Sequence, residues 1–339
     1  MSEIKDVIIL AIETSCDETS TAVVKNGREV LSNIISSQID IHKRFGGVVP
    51  EVASRNHITA ITNVVDEALI VAGIKQEELT AVAVTYGAGL VGALLVGVSF
   101  AKAYAYALNI PLIKVSHIKG HIAANYIAYK EFTPPHMCLV VSGGHTAILK
   151  IEDYINHKYL GGTLDDAVGE AFDKVARALG LAYPGGPNID RLAKLGEANI
   201  IFTKKSELKN PYDISYSGLK TAVINYINTK KQKGEEININ DICASFQSQA
   251  INTLAEKCIR ACKSYKTDKL CVAGGVAANS YLRQKLQKEC DLNNIKLYIP
   301  PMILCTDNAA MIGSAGYFNY INNEGTGNLD LNAVSTIKL

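Results

Sequence analysis

The chain has 339 residues, 48% of them hydrophobic and 20% charged, a length beyond what one hydrophobic core usually fills, so two packed lobes are expected. Lys plus Arg number 34 and Asp plus Glu 33, a net charge of +1, which excludes a chain that grips a polyanion by bulk charge alone. The eight cysteines (Cys16, Cys138, Cys243, Cys258, Cys262, Cys271, Cys290 and Cys305) form no CxxC pair, which excludes a disulfide-stapled secreted scaffold and fits buried thiols in a reducing compartment.

The chain opens with a short apolar run that Glu13 ends, too brief for a membrane span or for the apolar stretch of a signal peptide, so a cytoplasmic chain without membrane association is expected. Residues 7–24 read as strand, polar turn (Thr14-Ser15-Cys16-Asp17-Glu18) and strand. A helix with an apolar face follows at residues 58–72, then a strand at 81–85, a long apolar helix at 91–108 and a short strand at 112–115. His117-Ile118-Lys119-Gly120-His121 opens a helix predicted to continue through Tyr129. Four residues turn about 400°, so both imidazoles share one face. Such a pair either chelates a metal or is two polar residues on a helix end; chelation needs a third ligand.

The hairpin pattern returns at residues 137–151 as strand, Ser142-Gly143-Gly144-His145, strand. Gly185-Gly186 precedes Asp190, and the lysine-rich residues 229–236 read as an exposed loop between helices. A buried strand at 269–273 runs into Gly274-Gly275-Val276-Ala277-Ala278-Asn279 and a helix, which puts a glycine turn at the carboxyl end of a strand, where α/β sheets bind ligands. Without Cβ atoms such turns let backbone amides approach phosphate oxygens, although each alone is equally a plain turn. No GxxxxGK[ST] motif is present. Asp307, at the start of a small-residue helix, is either the third metal ligand or an N-cap. Two histidines and a carboxylate would leave coordination positions open, as catalytic iron and zinc sites do. Asp17, Glu18 and Asp173 are candidate proton carriers, or else solvated or capping carboxylates. The repeated hairpin-led unit points to an α/β, two-lobed actin-like fold.

Read together, these residues resemble the family of transferases that make threonylcarbamoyladenosine in transfer RNA, called TsaD in bacteria. The resemblance spans nearly the whole chain. It is carried by Ile12-Glu13-Thr14-Ser15-Cys16-Asp17-Glu18-Thr19, Gly46-Gly47-Val48-Val49-Pro50-Glu51, Ala53-Ser54-Arg55, the stretch from His117 to His121, and Val141 to Thr146. Further on come Gly169 to Lys174, Tyr183-Pro184-Gly185-Gly186-Pro187, Ser217-Gly218-Leu219-Lys220, Ala244-Ser245-Phe246-Gln247, Gly274 to Asn279 and Asp307 to Met311. Gly87-Ala88-Gly89-Leu90 stands where the family usually has GPGL, Lys119 where an acidic residue is common, and Tyr216 where phenylalanine is expected.

The resemblance implies an actin-like (ASKHA) fold built from duplicated RNase H-like units. Residues 1–130 would form the N-terminal lobe, with a C-terminal helix at about 307–325 packed on it, and residues 131–306 the C-terminal lobe with a helical insertion. It implies one divalent metal ion, Fe(II) ahead of zinc, held by His117, His121 and Asp307, the last arriving from the opposite lobe. Val140, Val141, Ser142, Gly143, Gly144, Asp173, Gly186, Asp190 and Asn279 would line the pocket for threonylcarbamoyl-AMP. The threonylcarbamoyl group would go to the exocyclic amine of the adenosine 3′ to the anticodon in tRNAs reading codons that begin with A. Glu18, with Asp17 second, is nominated as the base that removes the amine proton. The implied partners are tRNA, a metal-less TsaB-like paralogue forming a heterodimer, and a small TsaE-like ATPase; the helix at 58–72 offers an apolar face for the heterodimer or for the sheet.

Three other readings compete. A zinc peptidase needs the Glu of HExxH, and Ile118 occupies that place. An actin-like small-molecule kinase would use the glycine turns but has no need of the histidine pair. A non-catalytic scaffold would be expected to have lost the metal ligands.

Overall fold

The computed structural model describes residues 6–204 and 208–338. In chain order it begins with β1 (Ile8–Glu13), β2 (Glu18–Lys25), β3 (Glu29–Ser37), α1 (Ile39–Lys43), α2 (Pro50–Ala72), β4 (Ala81–Gly87), α3 (Val91–Leu108), β5 (Leu112–Ser116) and α4 (His117–Ala128). It continues with β6 (His136–Val141), β7 (Thr146–Ile151), β8 (His157–Gly162), α5 (Val168–Ala178), α6 (Gly185–Ala193), α7 (Ser217–Gln232), α8 (Ile239–Ser264), β9 (Lys269–Ala273), α9 (Ser280–Leu292) and β10 (Lys296–Tyr298). The chain closes with α10 (Met302–Cys305), α11 (Ala309–Ile321) and β11 (Thr326–Gly327).

These elements form two compact units. The first holds the chain up to Pro134, the excursion Glu152–Asn156 and everything from Pro300 onward; the second holds Pro135–Ile151 and His157–Ile299. The first sheet has the order β11-β5-β4-β1-β2-β3 and the second β10-β9-β6-β7-β8. One wiring is used twice. β1, β2 and β3 form an antiparallel meander, and β4 pairs parallel to β1 with β5 parallel beyond it. Likewise β6, β7 and β8 form a meander, and β9 pairs parallel to β6 with β10 beyond it. This is the duplicated α/β unit expected from the repeated hairpin.

The first unit's core follows from β1 and β4, whose unbroken apolar runs bury both faces. On one face Leu10, Ile12, Val82 and Val84 meet Val65 of α2 and Val98 and Ala101 of α3. On the other face lies α11. A Cβ at Gly313 would sit 2.6 Å from Val24 Cγ2, and one at Gly316 would sit 2.6 Å from Ala83 Cβ, so only glycine lets this helix lie so close to the sheet.

α3 and β9 have the bounds read from the sequence. α2 begins at Pro50, eight residues before the expected apolar helix, because proline suits a first helical position. α7 runs on to Gln232, so the first half of the lysine-rich stretch is helix rather than loop, and Lys230 pairs with Glu235. α3 is long and apolar enough to cross a membrane by length and composition, with 33% of it buried; here it packs against β4 and α2.

Candidate functional site

α4 follows directly on β5, and its first residue is His117. The i, i+4 spacing sets His117 and His121 edge to face, with ring centroids 4.5 Å apart and ring planes at 80°. α11 crosses close to α4 because Gly120 separates the two histidines. A Cβ there would meet Ile312 Cδ1 at 2.6 Å and Met311 Cγ at 3.2 Å. That crossing brings Asp307, two residues before α11, to the imidazoles: its Oδ1 lies 3.5 Å from His117 Nε2 and 3.3 Å from His121 Nε2.

Asp307 is free to do this because it is not the N-cap. Asn308 caps α11, with its Oδ1 accepting from Met311 N at 3.1 Å and its Nδ2 donating to Thr306 O at 2.8 Å. Asp307 belongs to the same compact unit as the histidines, which corrects the expectation that it arrives from the other lobe: the chain after Pro300 returns to the first unit and packs α11 on its sheet.

One potential ligand atom from each of His117, His121 and Asp307 lies within 4.8 Å of the others. His121 is 1% exposed, and among the described residues neither of its ring nitrogens finds a hydrogen bond of good geometry. Leaving such a group buried and unpaired costs about 1–3 kcal/mol, a cost that a coordinated cation removes. The donor set of two imidazoles and one carboxylate therefore fits a divalent transition metal.

His117 is oriented from behind. Its Nδ1 lies 3.1 Å from Glu13 Oε2 and 3.1 Å from Ser15 Oγ. Glu13, at the end of β1, is wholly buried; its Oε1 accepts from Ser15 N at 2.5 Å and its Oε2 from Thr85 Oγ1 at 2.7 Å. The carboxylate thus holds the proton on Nδ1 and turns Nε2 toward Asp307, the outer-sphere arrangement that orients metal-binding histidines. Burial alone would depress the His117 imidazole, but Asp307 and Glu13 outweigh it and push it up to about 9. Burial acts in the opposite sense on Asp307, and the two imidazoles hold that carboxyl down to about 2.

The turn after β1 carries Asp17, and Glu18 opens β2. Glu18 Oε1 accepts from Ser37 Oγ at 3.0 Å. Burial, the Asp307 charge and the adjacent Asp17 carboxyl push Glu18 up to about 9. Asp17 is buried, and its carbonyl accepts from Gln38 N at 2.9 Å. The first unit therefore brings His117, His121 and Asp307 together and holds Glu18 within electrostatic range of Asp307.

The remaining candidates all belong to the second unit. Val140 and Val141 end β6 and are buried. The next residues form a closed turn, with Ser142 N donating to His145 O at 2.8 Å and His145 N to Ser142 Oγ at 3.0 Å. Gly143 and Gly144 are exposed, and a Cβ built on either meets nothing within 4 Å. The space over this turn is therefore open to an incoming group.

Asp173 Oδ1 accepts from Gly185 N at 2.7 Å at the start of α6; burial raises this carboxyl against the opposing amides of Gly185 and Gly186. Asp190, further along α6, accepts from Ser280 Oγ at 2.9 Å and from Ser280 N at 3.3 Å. Asn279 caps α9 through Leu282 N at 2.9 Å and donates to Gln247 Oε1 at 2.7 Å. These side chains join α5, α6, α8 and α9 near the carboxyl ends of β6 and β9, where α/β sheets bind ligands. Gly274 reads differently from the sequence expectation. Its φ is +98° and a Cβ there would lie 2.4 Å from Val141 O, so glycine is required for close packing of β9's turn on β6 as well as for any approach to phosphate.

Three residues were not singled out by sequence reasoning. Glu13 and Gln247 sat unremarked within family motifs, and His57 lies just past one. Glu13 alone carried a signal, a carboxylate ending an apolar strand that is buried on both faces.

The match to the family model "tRNA N6-adenosine threonylcarbamoyltransferase" (TsaD) covers residues 29–314. A protein of that name from Clostridium botulinum (strain Kyoto / Type A2) is 59% identical over 336 residues, covering 99% of this chain and 98% of the relative. One from Clostridium perfringens (strain 13 / Type A) is 58% identical over 333 residues, covering 98% of each. Among solved structures, HypF of T. kodakarensis shares 14% identity at a TM-score of 0.62, covering 94% of this chain and 48% of that one. Component A of the Acidaminococcus fermentans (R)-2-hydroxyglutaryl-CoA dehydratase shares 16% at a TM-score of 0.52, covering 93% and 99%. These two likenesses place the duplicated fold among actin-like proteins. On the full-length identity, the family match and the motifs set out along both units, the chain belongs to the tRNA N6-adenosine threonylcarbamoyltransferase family.

Proposed function

We propose that this chain transfers the threonylcarbamoyl group of threonylcarbamoyl-AMP to the exocyclic amine of the adenosine 3′ to the anticodon, in tRNAs reading codons that begin with A. The observation that carries this reading is the group of buried His117, buried His121 and half-buried Asp307, with His121 lacking any other partner among the described residues, in a chain 59% identical over its length to a transferase of that name. The kinase alternative has no use for that group and is not favoured by any of these relatives.

His117, His121 and Asp307 are assigned as ligands of one divalent metal ion, Fe(II) ahead of zinc. Bound there, such an ion supplies Lewis acidity toward donor oxygens. The chain's own residues supply the rest. The open turn at Gly143 and Gly144 offers backbone amides to the donor's phosphate, with Val140, Val141 and Ser142 forming its base. Asp190 and Asn279 have oxygen and amide groups for ribose or base, held in place by Ser280 and Gln247. Asp173 fixes the start of α6, and so places Gly186. The donor is a mixed anhydride and already activated, so catalysis consists of orienting the weakly nucleophilic amine and stabilising the departing AMP. Glu18, with Asp17 beside it, is assigned to take the amine proton, worth about 10²- to 10⁴-fold in rate.

A near-neutral chain needs help to hold tRNA. Ile58, Ile70 and Val71 of α2 and Val91, Leu95 and Tyr106 of α3 are exposed, and this apolar surface supports a heterodimer with a metal-less TsaB-like paralogue. A small TsaE-like ATPase and a cytoplasmic setting complete the reading. The test is single-turnover transfer from labelled threonylcarbamoyl-AMP to unmodified tRNA with partners present. His121→Ala is expected to abolish labelling, and labelling at the wild-type rate would refute the assignment.

A further inference from the structure

We infer that His57 is a positioning residue for the Asp17 and Glu18 pair: one buried imidazole pins the turn on both sides of the two carboxylates. His57 lies on the inner face of α2 and is 0% exposed. Its Nε2 is 2.9 Å from Cys16 O and its Nδ1 is 2.7 Å from Thr19 Oγ1. These two contacts fix the tautomer. A backbone carbonyl can only accept, so Nε2 carries the hydrogen; Nδ1 is then a lone pair and accepts from the Thr19 hydroxyl. Both polar atoms of the ring are used, one at the residue before Asp17 and one at the residue after Glu18. Burial lowers the His57 pKa and so favours this neutral form.

Two of the other anchors act before the turn and one acts on Asp17 itself. Thr14 Oγ1 donates to Ala93 O at 3.0 Å, Leu90 N to Ser15 O at 2.8 Å and Gln38 N to Asp17 O at 2.9 Å. None of them holds Cys16 O or Thr19 Oγ1. If His57 is lost, the Cys16 carbonyl loses its donor and the Thr19 hydroxyl its acceptor, and the segment between them can shift within the limits set by Gln38 N on Asp17 O and Ser37 Oγ on Glu18 Oε1, while Ser15, and with it His117, stays tied. His57 makes no hydrogen bond to His117, His121 or Asp307, so its loss is expected to spare metal binding. Displacing a reacting group by about 1 Å can cost about 10²-fold in rate.

The inference rests on the reading that Asp17 and Glu18 act in the transfer, and the two can be tested apart. The wild type, Glu18→Gln, Asp17→Asn, His57→Phe, His57→Gln, His57→Asn and the double variant His57→Phe/Glu18→Gln are compared with their partners present. Single-turnover rate, donor KM, metal content and Tm are measured for each. His57→Phe is expected to lower the rate about 10²-fold with donor KM within about two-fold and metal content unchanged. His57→Gln, whose amide can donate to Cys16 O, is expected to recover about ten-fold of that, and His57→Asn, which reaches only toward Thr19, less. In the Glu18→Gln background His57→Phe should add little. A wild-type rate in His57→Phe, effects that add fully in the double variant, or a rate loss matched by lost metal in all three His57 variants would overturn the inference. Full activity in both Glu18→Gln and Asp17→Asn would instead overturn the reading of the carboxylates, and a slow His57→Phe alongside it would overturn both.

Discussion

Glu13 Oε2 stands 3.1 Å from His117 Nδ1, linking a residue on β1 to the first residue of α4 across 104 positions of sequence. The relationship decides which nitrogen of His117 faces Asp307, and it does so from a fully buried carboxylate that also binds Ser15 N and Thr85 Oγ1. Outer-sphere partners of this kind are worth about 10- to 100-fold in metal affinity. Glu13→Gln keeps the size and removes the charge, so metal affinity measured by chelator competition is expected to fall by about that factor while the fold persists. Unchanged affinity would show that His117 is oriented by Ser15 alone.

Asn308 gives a second, separable prediction. It caps α11 and thereby leaves Asp307 free to face the histidines. Asn308→Ala is expected to cost about 1 kcal/mol of stability, read from urea midpoints, as other lost N-caps do. Asn308→Asp and Asn308→Ser should restore most of it. If the alanine variant were as stable as the wild type, the cap would not be what releases Asp307.

Gly143 and Gly274 divide the two roles a glycine can have. Gly274→Ala must place a Cβ 2.4 Å from Val141 O at φ +98°, so a loss of more than about 2 kcal/mol is expected. Gly143→Ala meets nothing within 4 Å, so stability should change by less than about 0.5 kcal/mol while donor KM rises, because the methyl group stands where the phosphate would sit. A stable Gly143→Ala protein with unchanged KM would remove this turn from the donor pocket.

His136 supplies a pH dependence. The side chain is buried on β6, with Nδ1 3.6 Å from Cys271 Sγ, and burial pushes its pKa down to about 4 from an ordinary value of 6.5. A histidine whose folded pKa is depressed is neutral in the fold. Its contribution is therefore complete above about 6.5 and is lost as the pH falls toward about 4, reaching about 2 kcal/mol by pH 5. Urea unfolding at pH 7 and pH 5 should show this loss in the wild type and a smaller one in His136→Gln. Equal losses in both would mean that His136 is already hydrated in the fold.

Much of this fold was legible because apolar periodicity and glycine turns are local signals. The repeated hairpins, α3 and β9 could be read from runs of a few residues, and the His117 and His121 pair from helix geometry alone. What escaped depended on contacts distant in sequence. Glu13 looked like the end of an apolar run until Thr85 and His117 surrounded it, and His57, just ahead of the expected helix, drew no notice until Cys16 and Thr19 met its two nitrogens. Asp307 read as a possible cap because the competing claim of Asn308 is visible only in hydrogen bonds. The start of α2 was missed for a different reason, since its first turns carry little apolar pattern and only Pro50 marks the boundary.

His117, His121 and Asp307 are proposed to hold together the metal that threonylcarbamoyl transfer requires. The most direct measurement is metal content and single-turnover labelling of tRNA on the same preparations of wild type, His117→Ala, His121→Ala and Asp307→Ala, each with the partner proteins. All three variants are expected to lose bound metal and tRNA labelling together, and metal-stripped wild type to regain labelling when Fe(II) or zinc is returned. A variant that binds no metal yet labels tRNA at the wild-type rate would contradict the proposal.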